Sequence, residues 1–312
     1  MIKFIVIGII ILIIIIVLLV VYYKVGNYFY NIALNPKTDK QFVIGELEPT
    51  EEQKMYADEQ LLWLKNNSED VYINSTNNGN LKLHAYEINT ESNVWVIAIH
   101  GYMSRGTGIT GIAREFNKRN YNVLLIDLRG HGKSEGSYVG MGWHDRLDVT
   151  DWINYLNEKN PNCKIILYGI SMGAATVMMT TGEKLPVNVK LAIEDCGYTS
   201  VWDEFSYKLK QLFNLPEIPF LNAANTVCKK KAHYDFKEAS SIKQLKKSKT
   251  PTLFIHGSED NFVPFEMLDK VYEAASCKKE KLVIEGAEHG MASTVNPELY
   301  WETVDSFIEK YL

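Results

Sequence analysis

The chain has 312 residues, a hydrophobic content of 46% and a formal net charge of −5. A chain of this size and composition can bury a sizeable core, and its mildly acidic balance argues against a basic nucleic-acid-binding surface. The four cysteines form no CxxC pair, which argues against a structural metal or redox site, although one bridge between Cys196 and Cys228 stays open.

The N-terminal segment has the length and composition of a membrane span. Residues 4–23 carry no charge, and twenty helical residues cover about 30 Å, the thickness of a bilayer's hydrocarbon core. The run is longer than the h-region of a cleaved signal, which is the alternative, and it ends in Tyr22 and Tyr23, aromatic residues that suit the membrane interface. We predict that residues 1–25 anchor a single-pass protein in the cell membrane. Lys3 favours a cytoplasmic N-terminus, although lysines that follow the span compete, so we expect the following domain to be extracytoplasmic.

Residues 26–69 are predicted to form a tether and a leading helix. Thr50 is the expected N-cap of this helix, with acidic residues in the first turn. Leu61, Leu62 and Leu64 in its last turns predict one buried face.

After residue 70, short apolar runs alternate with helical patterns. The run at Leu81–Ile88 alternates like a half-buried strand, whereas VWVIAIH, YNVLLIDL, CKIILYG, VKLAIED, TPTLFIHG and KLVIEG are apolar on both faces, as in a parallel sheet. Helices are predicted at 108–118, 143–158, 171–181, 265–275 and 297–311. We therefore predict one α/β domain over 70–312, with a mostly parallel, doubly wound sheet and a small helical cap at about 197–249. Ligands of such sheets bind at the carboxyl ends of the strands.

The sequence GISMG follows one predicted strand and precedes a helix. A G-x-S-x-G motif in this place is typical of a nucleophile elbow, a strained turn that lifts the serine out of the packed layer. Gly169 and Gly173 would flank Ser171 because a Cβ at either position would clash with the neighbouring strand or helix. We therefore predict that Ser171 is the nucleophile.

A serine hydroxyl needs a base and an orienting carboxylate. His289, in GAEHGM after the last predicted strand, is the expected base. Asp260, in HGSEDNFVP, is the preferred carboxylate over Glu259, and Asp195, at the end of another strand, is the alternative. The chain order Ser171, Asp260, His289 is that of α/β-hydrolases.

The oxyanion formed on attack needs backbone donors. The Met172 N–H follows the nucleophile directly. The second donor is expected from HGYMSRG, at Tyr102 or, as an alternative, Met103, where Gly101 permits close approach of the backbone.

The motifs HGY, DLRGHGKSEG, GISMG, GSEDNFVP and AEHG together resemble the serine α/β-hydrolase superfamily. Within it, the chain is similar to membrane-anchored bacterial hydrolases of the serine aminopeptidase or Bem46-like type, over roughly residues 70–312. The resemblance implies an α/β-hydrolase fold, the assignments of Ser171, Asp260, His289, Met172 and Tyr102 given above, and a structural role for the turn at 127–132.

The expected activity is hydrolysis of carboxylic esters with small to medium apolar acyl groups. The alternatives are a peptidase or amidase that uses the same three residues, and a non-catalytic, membrane-tethered binding module. A small ester or peptide substrate and, through the N-terminal helix, the membrane are the expected partners; no cofactor, metal or nucleic acid is expected.

Apolar residues at helical spacing in the cap region have two interpretations. They form either a helix packed on the sheet or the wall of an acyl-chain pocket. These residues are Trp202, Phe205, Leu209, Leu212 and Phe213.

Overall fold

The computed structural model describes residues 2–38, 50–76 and 79–312. Its first element, helix α1 (Ile2–Leu34), has 33 residues and is long and apolar enough to cross a membrane, with a mean hydropathy of 3.9 in its most apolar window. The helix continues nine residues past the predicted end of the anchor at residue 25, so the start of the predicted tether is helical. The reason is a stripe at a spacing of four, Gly26, Tyr30 and Leu34, which is buried against the rest of the protein.

Helix α2 (Glu51–Asn67) begins at the predicted N-cap. The Thr50 hydroxyl accepts the Gln53 N–H at 3.2 Å, and the Gln53 side chain accepts the Thr50 N–H at 2.9 Å, which completes a capping box. The prediction of the buried face was wrong for two of its three residues. Leu64 is buried together with the polar residue one turn before it, whereas Leu61 and Leu62 are exposed.

Eight strands form one sheet in the order β1-β2-β4-β3-β5-β6-β7-β8. Strands β3 to β8 run parallel, while β2 is antiparallel to β4 and β1 antiparallel to β2. The predicted α/β-hydrolase fold is confirmed. The strands are β1 (Glu69–Asn74), β2 (Lys82–Ile88), β3 (Val94–Ile99), β4 (Asn122–Ile126), β5 (Lys164–Ile170), β6 (Val189–Asp195), β7 (Thr252–Gly257) and β8 (Lys279–Ile284).

Helices cover both faces of this sheet. After a 3-10 turn at Gly106–Ile109, they are α3 (Thr110–Lys118), α4 (Asp145–Lys159), α5 (Met172–Thr181), α6 (Val201–Phe213), α7 (Glu217–Lys231), α8 (Ser241–Leu245), α9 (Glu266–Ala274), α10 (Ala292–Val295) and α11 (Pro297–Tyr311). One core layer packs α3 and α11 on the sheet, and the opposite layer contains α4, α5 and the cap helices α6 and α7. The doubly wound arrangement leaves the carboxyl ends of the central strands open toward the cap.

The cysteines add no covalent link to this fold. All four are free, and three of them, Cys163, Cys196 and Cys228, are buried. The Cys196–Cys228 bridge that the sequence left open is therefore absent.

Candidate active site

Ser171 lies in the tight turn between β5 and α5. Its backbone has φ 58° and ψ −119°, a conformation that is strained for a residue with a side chain. A Cβ at Gly169 would overlap the carbonyl oxygen of Gly173, and a Cβ at Gly173 would overlap the carbonyl oxygen of Ile99 at the end of β3. Both glycines are thus required for α5 to start this close to the sheet. The Ser171 side chain projects from the turn between them.

His289 follows β8 and lies between the other two predicted residues. Its Nε2 is 2.8 Å from Ser171 Oγ, and its Nδ1 is 2.7 Å from Asp260 Oδ2. The chain of contacts has the geometry of a nucleophile, a base and an orienting carboxylate. The structure therefore brings together the three residues that the sequence singled out.

Asp260 is held by more contacts than the one to His289. Its Oδ1 accepts the backbone N–H groups of Phe262 and Val263 at 2.8 and 2.9 Å, and its Oδ2 is 3.2 Å from His256 Nε2. Burial alone would raise the pKa of this carboxyl, but the hydrogen bonds from His256 and His289 outweigh burial and hold its pKa well below the usual range. Asp260 is therefore ionised at neutral pH. The sequence analysis assigns no role to His256; its spacing of four residues from Asp260, next to the end of a predicted strand, is the signal that could have indicated this contact.

Asp195, the alternative carboxylate, has a different environment at the end of β6. Its Oδ2 accepts a hydrogen bond from the Tyr300 hydroxyl at 2.9 Å, and its backbone carbonyl accepts the Ser171 N–H at 2.8 Å. Burial raises the pKa of its carboxyl to about 6. The structure pairs His289 with Asp260, and the Asp195 backbone supports the elbow.

The predicted oxyanion donors lie on two segments that meet at the nucleophile. Met172 is the first residue of α5, where backbone N–H groups have no partner within the helix. The turn that carries Tyr102 passes close by, because a Cβ at Gly101 would lie 3.3 Å from Ser171 Cβ. Met103, the alternative, has φ 59° in the same turn.

The loop after β4 has structural contacts. Asp127 accepts the N–H groups of Gly106 and Lys133 at 2.7 and 2.9 Å, and its Oδ2 lies 2.7 Å from His84 Nδ1. These bonds fix the turn at 127–132, in the structural role that the resemblance implies.

A pocket opens above Ser171 and is lined mainly by apolar side chains. Four of the five cap residues at helical spacing line it, which favours the interpretation as a pocket wall. Trp202 does not; its ring packs under Lys237, whose Nζ is 4.0 Å from the ring centroid. Helix α1 contributes a further part of the wall, which the sequence did not predict. The residues from α6 are Phe205, Leu209, Leu212 and Phe213, and those from α1 are Phe29, Ile32 and Ala33.

Two titratable side chains of α6 also line the pocket. Glu204 is buried, and its Oε2 has no hydrogen-bond partner among the described residues. Burial raises the pKa of its carboxyl to about 8, against the attraction of Lys208. The Lys208 ammonium lies 3.5 Å from the centroid of the Phe262 ring, which in turn packs on His289 at 4.8 Å between ring centroids.

Possible metal ligands in the described residues coincide with the same site. Single ligand atoms of Cys196, Asp260 and His289 lie within 4.8 Å of one another. Burial raises the pKa of the Cys196 thiol well above its usual value, which keeps it protonated and a poor metal ligand. The two other members already bond each other, so this cluster is better suited to proton transfer than to metal binding.

Known proteins match this chain both in sequence and in fold. Residues 90–213 match the family described as serine aminopeptidase, S33. The uncharacterised protein YqkD of Bacillus subtilis is 28% identical over 215 residues, which cover 69% of this chain and 70% of YqkD. Bem46 of Schizosaccharomyces pombe is 28% identical over 175 residues, or 54% of this chain and 52% of Bem46. The solved structure of the Pyrococcus furiosus esterase Pf2001 superposes with a TM-score of 0.66 at 25% identity and covers 80% of this chain and 95% of the esterase.

Proposed function

Because the chain belongs to the α/β-hydrolase superfamily, we propose that it is a serine hydrolase that cleaves carboxylic esters of small to medium apolar acyl groups. The observation that carries the proposal is the line of contacts from Ser171 Oγ through His289 to Asp260, at 2.8 and 2.7 Å, beneath an apolar pocket. A hydroxyl beside a base that a carboxylate orients is suited to acyl transfer.

In the proposed reaction, Ser171 Oγ attacks the ester carbonyl carbon while His289 Nε2 takes the hydroxyl proton. Asp260 stabilises the imidazolium that forms. The N–H groups of Met172 and Tyr102 hold the oxyanion, each contributing about 3 kcal/mol of transition-state stabilisation. His289 then protonates the leaving alcohol, and water, with His289 again as the base, hydrolyses the acyl-enzyme.

The pocket wall favours apolar acyl groups. Phe205, Leu209 and Phe213 face the space next to Ser171, and burying an acyl chain there removes apolar surface from water at roughly 25 cal/mol per Å². A cationic acyl group would lose its hydration without an ionised counterion, because burial keeps the Glu204 carboxyl largely neutral.

The same wall bears on the peptidase alternative. An aminopeptidase binds a free ammonium group, for which a carboxylate is the usual counterion. Glu204 is a carboxyl group of the pocket, and burial, with a pKa raised to about 8, keeps it largely neutral at pH 7. The Lys208 side chain lines the same pocket and its ammonium would repel that of the substrate, so this environment favours the ester.

The anchor completes the proposal. We infer that α1 spans the cell membrane once, because its apolar part is exposed and long enough to cross the hydrocarbon core, and that the catalytic domain lies on the extracytoplasmic side, because Lys3 favours a cytoplasmic position for the segment before the span.

The test is labelling of the full-length protein in detergent micelles with a fluorophosphonate, which reacts with activated serines. We expect labelling of the wild type, its loss in Ser171→Ala, and wild-type labelling in Ser276→Ala, a control at an exposed serine. Turnover of p-nitrophenyl esters of increasing chain length is then compared with turnover of aminoacyl anilides. A folded wild type that takes no label would support the binding module instead, and faster anilide turnover would support the peptidase.

A further inference from the structure

Helix α1 passes without interruption from its exposed apolar part into the catalytic domain. Gly26 marks the crossing with cap helix α7, because a Cβ there would overlap the backbone carbonyl of Ala223. The Tyr22 hydroxyl lies 3.3 Å from that of Thr226, also on α7. The end of the membrane helix is thus a packed part of the domain.

The last turns of α1 form part of the pocket that contains Ser171. The ring of Phe29 meets those of Phe213 and Phe220 edge to face, with centroids 5.3 and 6.0 Å away. The carbonyl of Ala33 accepts a hydrogen bond from the Tyr102 hydroxyl at 2.5 Å. The anchor therefore contacts both the acyl-binding wall and the turn that carries a proposed oxyanion donor.

The pocket lies close to the expected membrane surface. Tyr22 and Tyr23 mark the end of the apolar span, and Phe29 and Ala33 follow Tyr23 by six and ten residues, about 9 and 15 Å along a helix. Both distances are short beside a hydrocarbon core of about 30 Å.

Two lysines at the end of α7 lie beside α1 at this level. The Lys230 ammonium lies 5.3 Å from the ring centroid of Tyr23, and that of Lys231 lies 5.1 Å from the ring centroid of Tyr30 and donates to Asn27 at 2.6 Å. Lysines next to a membrane span suit contact with anionic lipid headgroups. They favour a position of this end of the cap against the lipid surface.

We propose that the substrate is a single-chain, medium-length acyl ester that resides in the bilayer, and that its chain enters the pocket along α1. This inference rests on the proposed function. Phe29, Ile32 and Ala33 then set the length of chain that the site accepts. An acyl chain that left the bilayer for water would expose apolar surface, whereas a chain that passes along an apolar wall at the membrane surface replaces lipid contacts with protein contacts.

The test uses the full-length protein in vesicles of phosphatidylcholine and phosphatidylglycerol at 3:1, because removal of α1 would open the pocket wall. The probes are p-nitrophenyl decanoate, which partitions into the vesicles, and p-nitrophenyl butyrate, which stays largely in water. Ala33→Phe narrows the pocket, and we expect it to lower the decanoate-to-butyrate ratio of kcat/KM at least tenfold. Phe29→Ala widens the pocket, and the ratio should rise.

Tyr28→Ala is the matched control, because Tyr28 is the neighbouring aromatic residue on α1 and is 56% exposed. Its ratio should stay within twofold of the wild type. Addition of vesicle lipid at constant total substrate should slow decanoate cleavage in proportion to the falling mole fraction of ester in the bilayer.

The outcomes separate the two proposals. A wild type that takes no fluorophosphonate label, or a Ser171→Ala variant that is labelled equally, would refute the proposed function. Two outcomes with normal labelling would overturn only the proposal of a membrane substrate. One is a decanoate-to-butyrate ratio of kcat/KM that is unchanged in Ala33→Phe and Phe29→Ala. The other is a rate of decanoate cleavage that does not fall when vesicle lipid is added.

Discussion

Asp260→Asn should inactivate the enzyme by fixing the wrong tautomer of His289. In the wild type, Asp260 Oδ1 accepts two backbone N–H groups, so the carbonyl oxygen of an asparagine must take this position. The amide nitrogen then faces His289 Nδ1, 2.7 Å from the replaced oxygen, and donates to it. The imidazole proton moves to Nε2, which can no longer accept the proton of Ser171.

A wrong tautomer of this kind lowers kcat by about 10⁴, which corresponds to about 5 kcal/mol of barrier. The assay is hydrolysis of p-nitrophenyl butyrate by the full-length protein in micelles, together with circular dichroism to verify the fold. Asp195→Asn is the matched control, a buried aspartate at the end of the neighbouring strand β6 that bonds Tyr300. We expect its kcat within about fivefold of the wild type. A folded Asp260→Asn variant that keeps more than a tenth of the activity would refute the tautomer argument, and a large loss in Asp195→Asn alone would transfer the role to Asp195.

Three further predictions concern stability. Gly173→Ala should lower the free energy of unfolding by several kcal/mol, because its Cβ would overlap the carbonyl of Ile99; an unchanged urea midpoint would contradict this. Arg129→Leu should cost about 3–5 kcal/mol, because it leaves Asp148 buried without its two 2.7 Å bonds, and a loss under 1 kcal/mol in urea unfolding would contradict it. Glu204 has a pKa of about 8 in the folded protein, raised by burial from 4.5, so the unfolded state binds fewer protons and wild-type stability falls as pH rises between these values. Glu204→Gln should therefore gain in unfolding free energy over the wild type from pH 5 to pH 8, and a constant difference would argue against the raised pKa.

Much of the fold was predictable because its signals are local. The central strands are apolar on both faces, and the segment Pro297–Tyr311 matches the observed last helix at both ends. Strand β1 was missed because it lies at the sheet edge, where most side chains of Glu69–Asn74 are exposed and little hydrophobic pattern is required. The proposed catalytic residues could be singled out since each follows a predicted strand, and parallel strands end at one edge of the sheet.

The contacts that the sequence concealed join distant parts of the chain. Gly26 and Ala223 are nearly two hundred residues apart, and the spacing of Gly26, Tyr30 and Leu34 does not say which part of the chain this stripe packs against. Such contacts follow from packing rather than from local preference.

If α1 spans the membrane as proposed, the uninterrupted helix also sets the orientation of the domain relative to the lipid surface. A flexible linker would let the domain rotate freely relative to the span. In a continuous helix, each added residue instead rotates the domain by about 100° and moves it by about 1.5 Å along the helix axis. One alanine inserted between Lys24 and Val25 would turn the pocket entrance by more than a quarter of a revolution about the span. Four inserted residues would restore the azimuth to within about 40° but lift the entrance about 6 Å from the headgroups. The number of residues between the apolar span and Gly26 therefore sets both the direction in which the pocket faces and its height above the lipid headgroups.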